Sequence, residues 1–579
     1  MSRPAPPWLA FLFALLLAVP FFWRLGDEEF HGDESHWVSS GQQAFFLLSH
    51  GQLDAAQWRE DFYFYSQPQV GKLLIGLAMA VGGHYGPTPI YDYDWQRRPW
   101  ENQAAGRIPP PAAVHAARIP GAVAGWLACL LLWALGVALG ASTAGRTSAI
   151  LLASHPLWLA NARRAGLDTV ALALGLVGVL ATLHAVGILS RPRGGRGAWL
   201  AWLWPAGMAL GLGAGAKYVA LLTWPLLVAT IIPGVAPGRR RRALATSLVG
   251  LAVVLLVGGV TFWITNPTLY RDPLRQLGAS YDFLSWQAHE MRRQSPVFSS
   301  PLAVGAEIVD RVVWPTGFPA VTDRTLPDPL IPGSYGTPLV GAGVGMALLW
   351  GVRRLAALGV PSSEFRVPSG LGSQESSGPG RPGALAMAWW WTGSVFVMLV
   401  LSLPTWWERW HLPLVPPLCL LAGIGWAALP RFAGRPEFRV PRSESTWNSE
   451  LGTRNSELPP LGGLFPYAVA WAQYVAALAA GPSYLGNGFA VLIGTPWGVA
   501  AHLAALAVTL ASIVVHFGHP GHHAWRERWP RLPLHGLPGM RRPSASYASA
   551  SSAPGASPPG PTFRDTSVPQ GSSSTPPVT

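Results

Sequence analysis

Asp27-Glu28-Glu29-Phe30-His31-Gly32-Asp33-Glu34-Ser35-His36-Trp37 places five carboxylates and two imidazoles within eleven residues. In a chain that is only 12% charged, this is where groups able to move protons gather. Asp33 and Glu34 form an adjacent pair. Neighbouring carboxylates raise the cost of ionising one another, so one of them can serve as a base near neutral pH. The competing reading is a solvated acidic loop that carries no chemistry, and the pair alone does not separate the two. His31 and His36 flank the pair. With Glu34 they could engage zinc or manganese, or they could simply hydrogen-bond. A divalent metal is therefore admitted, and no nucleotide cofactor is expected.

Basic and amide groups recur farther along. Gln67-Pro68-Gln69-Val70-Gly71-Lys72 leads into an apolar stretch, and Arg118 lies early in the next one. Arg163 and Asp168 are five residues apart, Lys217 follows Gly213-Ala214-Gly215-Ala216, and Arg409 stands in Trp406-Trp407-Glu408-Arg409-Trp410-His411. Of the 41 basic side chains only Lys72 and Lys217 are lysines. Cations in such places bind phosphate by charge and hydrogen bonds, or they extend toward lipid headgroups from a membrane boundary. Arg118 reads as structural.

The elements that must position these groups are membrane spans. Half of the 579 residues are apolar and mean hydropathy is +0.27, which indicates an all-α polytopic membrane protein. Apolar runs fall near 8–25, 112–139, 147–162, 168–189, 199–215, 217–234, 243–265, 337–352, 384–403, 411–429, 464–480 and 490–517. At ~20 residues per crossing this makes about 12 spans. With the N-terminus inside, Arg146, Arg191, Arg193, Arg196, Arg239 to Arg242, Arg353, Arg354, Arg431 and Arg435 share the cytoplasmic side. The net charge of +13 is then topological, and nucleic acid is not needed to explain it. The resulting organisation is a first helix at 1–25, an external loop at 26–111, spans at 112–265 and a second external loop at 266–336. Spans at 337–430 enclose a low-complexity loop at 358–383, followed by a low-complexity linker at 431–463. Two further spans at 464–517 precede a largely disordered cytoplasmic tail at 518–579. Both termini are cytoplasmic, and the acidic stretch opens the first external loop. Cys129 and Cys419 lie in separate apolar runs and suggest neither a disulfide framework nor a metal site.

In their order and common membrane side, these groups resemble the GT-C glycosyltransferases that use lipid-phosphate sugars, the protein O-mannosyltransferases and aminoarabinose transferases. Asp33-Glu34 is similar to their Asp-Glu motif, and Gln67 to Lys72 to a His-Pro-Pro-Leu-Gly-Lys motif with Gln67 in place of the histidine. Arg163 with Asp168, Lys217 with Tyr218, and Arg409 with the following Leu412-Pro413-Leu414 match further segments. The resemblance covers residues 8–430 and implies a GT-C-like bundle with a large first external loop. It implies transfer of a sugar, with inversion, from a polyprenyl-phosphate donor to an acceptor hydroxyl at the external face of the cell membrane. Asp33 would be the base with Glu34 supporting it. Lys72, Arg163, Lys217 and Arg409 would bind the donor phosphate, and His36, Gln67 and Asp168 would assist. The partners implied are that donor, membrane lipids, and a glycan, lipid or protein acceptor. Trp37, Trp58 and Trp95 could stack on sugar, and the sequence does not choose among them. A transporter or flippase of lipid-linked sugars is the alternative. It predicts internal repeats and ionisable residues at mid-membrane; here no half-to-half repeat stands out and the ionisable residues gather at one face.

Overall fold

The structure is a computed structural model that describes residues 7–28, 30–86, 90–189, 196–223, 240–294, 300–309, 312, 338–359, 384–402, 408–433 and 471. These residues all fall within the unit Pro4–Pro520. The spans expected at 464–480 and 490–517 lie outside the described residues, Trp471 excepted, as does the tail from 518. Every regular element among the described residues is helical. Apart from short helical turns, the helices in chain order are α1 (Pro7–Phe22), α2 (Gly32–Ser49), α3 (Val70–Val81), α4 (Pro111–Ala138), α5 (Ser142–Ala153), α6 (Pro156–Ala162), α7 (Asp168–Leu189) and α8 (Arg196–Ala216). They continue with α9 (Arg240–Ile264), α10 (Pro273–Gln294), α11 (Pro301–Ile308), α12 (Pro338–Gly359), α13 (Ala384–Ser402) and α14 (Val415–Ala433).

Five stretches among the described residues are long and apolar enough to cross a membrane: Trp8–Asp27, Pro111–Ala138, Asp168–Ala185, Ala384–Leu401 and Trp410–Ala428. Their surroundings suit an apolar solvent. On α1, Leu17 and Phe21 are buried while Trp8, Phe11, Leu12 and Leu15 are exposed, so the helix is apolar on both sides. The run read as one span at 147–162 is broken. It forms α5 and α6, divided at His155 because Pro156 at the first position of α6 cannot donate a backbone hydrogen bond.

Helix α4 is the hub. It packs against α1, α5, α6 and α7, and α2 and α3 lean on its first turns. Helix α14 is the most enclosed span, 94% buried over Trp410–Ala428. It fits between α5 and α12 because glycines let backbones touch. A Cβ on Gly423 would come within 2.5 Å of the Ala144 carbonyl, and one on Gly425 would run into the Gly343 carbonyl.

The stretch read as the first external loop, between α1 and α4, is largely helical. Helix α2 starts with a capping box in which the His31 ring accepts the Asp33 N–H and the Glu34 carboxylate takes the His31 N–H. Its body, rich in Ser, Gly and Gln, lacks the apolar run that marks a span.

Candidate active site

The eleven-residue acidic stretch separates into groups of different kinds. Glu34 is 1% exposed and its two oxygens are fully engaged. Arg118 meets them as a fork, Nε to Oε1 and Nη2 to Oε2, both at 2.8 Å. The Ala165 N–H adds a bond to Oε1 at 2.8 Å and the His31 N–H one to Oε2 at 3.0 Å. Nη1 of Arg118 donates to the carbonyls of Leu25 and Glu28. A buried carboxylate survives when paired and hydrogen-bonded in this way. Glu34 therefore fastens α2 to α4 and to the turn before α7.

Glu28, from the same stretch, is not a solvated loop charge. It is buried and accepts Nε of Arg163 at 2.8 Å. The rest of that guanidinium caps α1, with Nη1 donating to the carbonyls of Pro20 and Trp23 and Nη2 to that of Arg24. A helix end leaves such carbonyls without intrahelical partners and carries partial negative charge, so an arginine there is stabilised. Arg24 itself is left-handed, φ 53°, as is common where a helix stops. Arg163 thus pairs with Glu28 and not with Asp168.

Lys72 is also committed to protein. Its Nζ donates to the carbonyls of Tyr63, Phe64 and Gln67 at 2.6, 3.1 and 3.0 Å. Burial pulls its ammonium down to about 7, while the Asp61 carboxylate works in the opposite direction. Three accepted protons require the charged form, so the geometry favours the ammonium. Gln69 reinforces the same turn by donating from Nε2 to the Phe64 and Gln67 carbonyls, and its N–H reaches Asn266 Oδ1 at 2.7 Å. The side-chain oxygens of Gln67 and Gln69 are buried without a protein donor.

A second set of groups lies nearer the surface. Asp33, one residue from Glu34, keeps 23% of its side chain exposed and lies 3.9 Å from Nδ1 of His31. One turn on, His36 packs against Tyr63 and Trp37 with ring centroids at 4.4 and 4.7 Å. The Tyr63 hydroxyl donates to Asp92 at 3.2 Å, and burial together with the Asp92 charge pushes its pKa up to about 12. Asp168 opens α7 and accepts Nζ of Lys217, just past α8, at 2.8 Å; Asp168 is buried and Lys217 is partly exposed. Each charge suits the helix end it occupies. Because α3 touches α2, α4 and α8, these groups collect at one end of the bundle. Arg409 stands in the short helix Glu408–Leu414, and its side chain lies outside the described residues.

Arg164 went unremarked in the sequence. Its Nε is buried with no protein acceptor, and it sits between Arg163 and the Ala165 that binds Glu34. The doubled arginine was the available signal. As for a metal, both Glu34 oxygens already bind protein donors, and His31 Nδ1 accepts the Asp33 N–H. Among the described residues no group of three or more His, Cys, Asp or Glu could hold an ion. Glu34 and Nδ1 of His31 are therefore already committed to protein donors.

Residues 41–235 match the family of dolichyl-phosphate-mannose-protein mannosyltransferases. The matched segment contains Lys72, Arg118, Arg163, Asp168 and Lys217 and begins after Asp33. Among solved structures, ArnT from Cupriavidus metallidurans bound to undecaprenyl phosphate is similar at 16% identity, covering 88% of this chain and 77% of that one, with a TM-score of 0.47. The apo oligosaccharyltransferase of Archaeoglobus fulgidus is similar at 13% identity, covering 86% and 59%, with a TM-score of 0.48. No curated protein matches the chain.

Proposed function

We propose that this chain, with its mannosyltransferase-family segment, is an integral-membrane glycosyltransferase that draws sugar from a polyprenyl-phosphate donor. The observation that carries the reading is the division of labour between Asp33 and Glu34. Glu34 is locked, so the first turn of α2 is held in place, and Asp33 is partly exposed on that fixed turn. In the proposed reaction an Asp33 oxygen takes the proton of an acceptor hydroxyl as that oxygen bonds to the anomeric carbon. The bond from that carbon to the phosphate oxygen breaks, its electron pair leaves with the polyprenyl phosphate, and the configuration inverts.

The departing phosphate needs cations whose hydrogen-bonding capacity is not already used. Lys217 fits, because it can share its protons between Asp168 and an incoming anion; Arg164 and Arg409 are further candidates by residue type. Lys72 and Arg163, whose donors are bound to protein oxygens, act in this proposal by holding the site's shape. The orientation read from the arginines puts the reaction on the external face. No step is routed through a metal.

The test is Asp33→Asn, assayed in reconstituted membranes with a radiolabelled polyprenyl-phosphate sugar. Loss of a general base lowers turnover by ~10²–10⁴-fold. An isosteric change at a partly exposed position should leave folding within ~0.5 kcal/mol. Undiminished transfer refutes Asp33 as the base. Movement of labelled donor across the bilayer without covalent transfer replaces the enzyme with a transporter.

A further inference from the structure

The sequence offered Trp37, Trp58 and Trp95 as sugar-stacking candidates without preference, and the structure separates them. Trp58 is 1% exposed, and its indole N–H is used on the Gln52 carbonyl at 2.8 Å. Trp37 is partly buried against the cluster of Val38, Ile75 and Met79. Trp95 is 52% exposed and lies against the first turn of α2. Its ring centroid is 5.6 Å from that of His31 and 5.1 Å from that of Tyr93, both edge-on. A Cβ on Gly32 would come within 2.8 Å of Trp95 and 2.6 Å of Tyr93. The aromatic pair therefore rests directly on the backbone one residue before Asp33, in a gap only glycine leaves open.

The segment carrying it is held firmly. The Tyr91 N–H donates to Ser39 Oγ and Ser35 Oγ donates to the Arg107 carbonyl, both at 2.9 Å, which ties the two ends of the segment to α2. Within it, Asn102 is fully buried and exchanges two bonds with the Asp94 backbone, also at 2.9 Å. The Gln96 N–H, with Arg107 and Arg97, holds the Asp94 carboxyl below the usual carboxylate range. Exposed tryptophans in membrane proteins commonly sit at the lipid interface. Here the neighbours Asp92, Gln96, Arg97 and Arg98 are exposed as well, so the ring stands among hydrated charges.

We infer that Trp95, backed by Tyr93 and His31, is a specificity platform that takes the C–H face of a pyranose ring beside Asp33. This rests on the glycosyltransferase reading and adds the substrate face it recognises. An indole presents a flat apolar surface with a negative π face, which suits the polarised C–H groups on one side of a sugar ring. Because the ring is braced before substrate arrives, little order need be lost on binding.

The experiment compares wild type, Trp95→Phe, Trp95→Ala and Asp33→Asn in lipid nanodiscs. Saturation-transfer NMR with methyl pyranosides reads ring contact whether or not transfer occurs. Transfer kinetics with donor and glycan acceptor varied in turn show which substrate supplies the ring. Trp95→Ala should raise the KM of one of them about three- to tenfold, the range of one aromatic contact, with kcat kept. It should also reduce the saturation transfer several-fold, and Trp95→Phe should restore most of both. Unchanged saturation transfer and KM in Trp95→Ala overturn the platform alone. Pyranoside contact that depends on Trp95 in a protein that transfers no sugar sustains the platform and overturns the enzyme.

Discussion

Asp33 and Glu34 are neighbours in sequence and opposites in situation, and the contrast runs through the whole polar end of the molecule. On one side is a joint: Glu34 with Arg118 and Glu28 with Arg163, dry and saturated with hydrogen bonds. On the other is a rim: Asp33, His36 and Lys217, partly exposed, with Trp95 exposed and Asp168 buried as the partner of Lys217. The same residue types occur in both, so a charge near the membrane face is no sign of chemistry until its partners are counted. The joint fixes the start of α2, and Asp33 of the rim stands on that fixed turn.

The contrast is broken most severely by Arg118→Met. It leaves Glu34 buried and uncompensated, for which a loss of about 3–5 kcal/mol is typical. The fraction of protein recovered folded from the membrane, and its melting temperature, should fall sharply. Adding Glu34→Leu should recover only part, because the His31 and Ala165 N–H groups still lack their acceptor. Full recovery would mean that the ion pair, and not the backbone bonds, makes the joint.

A paired comparison sharpens the boundary. Lys217→Met should cost ~1–3 kcal/mol in stability, because it leaves the buried Asp168 without its cation, and lower transfer about tenfold or more through a lost charged hydrogen bond to phosphate. Arg163→Met should depress the melting temperature further, while the protein that folds keeps its KM for the donor. Identical phenotypes would erase the distinction between joint and rim.

The smallest effect is an alkaline one. The folded pKa of Tyr63 is raised from 10.0 to about 12, so the folded protein holds this proton more tightly than the unfolded chain does. Its stabilising contribution is complete below pH 10 and disappears as pH rises to about 12. Melting followed across that window should show a slope that Tyr63→Phe flattens.

Much of the rim was legible in the sequence. Asp33, His36, Asp168 and Lys217 all stood out by type or position. The joint was not, because Arg118 lies 84 residues from Glu34 and Arg163 lies 135 from Glu28, and no local pattern declares such pairings. The pairing of Asp168 with Lys217 instead of Arg163 is likewise a matter of which helix ends meet. Helix α2 announced itself faintly. Glu34 three residues after the cap is a start signal, but His31 occupies the place usually held by Ser, Thr, Asp or Asn. Trp95 was visible as a type and invisible as a place.

The glycine contacts of α14 have a consequence for how the protein is made. Spans enter the membrane in order as the ribosome proceeds, and α5 and α12 are built to accept a backbone that is synthesised after both. Until residue 433 has emerged, their small-residue faces have only lipid against them. Assembly therefore waits on its last described helix. A nascent chain stopped before α14 should be recognised and degraded as incomplete, even though Asp33, Lys72 and Lys217 have long since been translated.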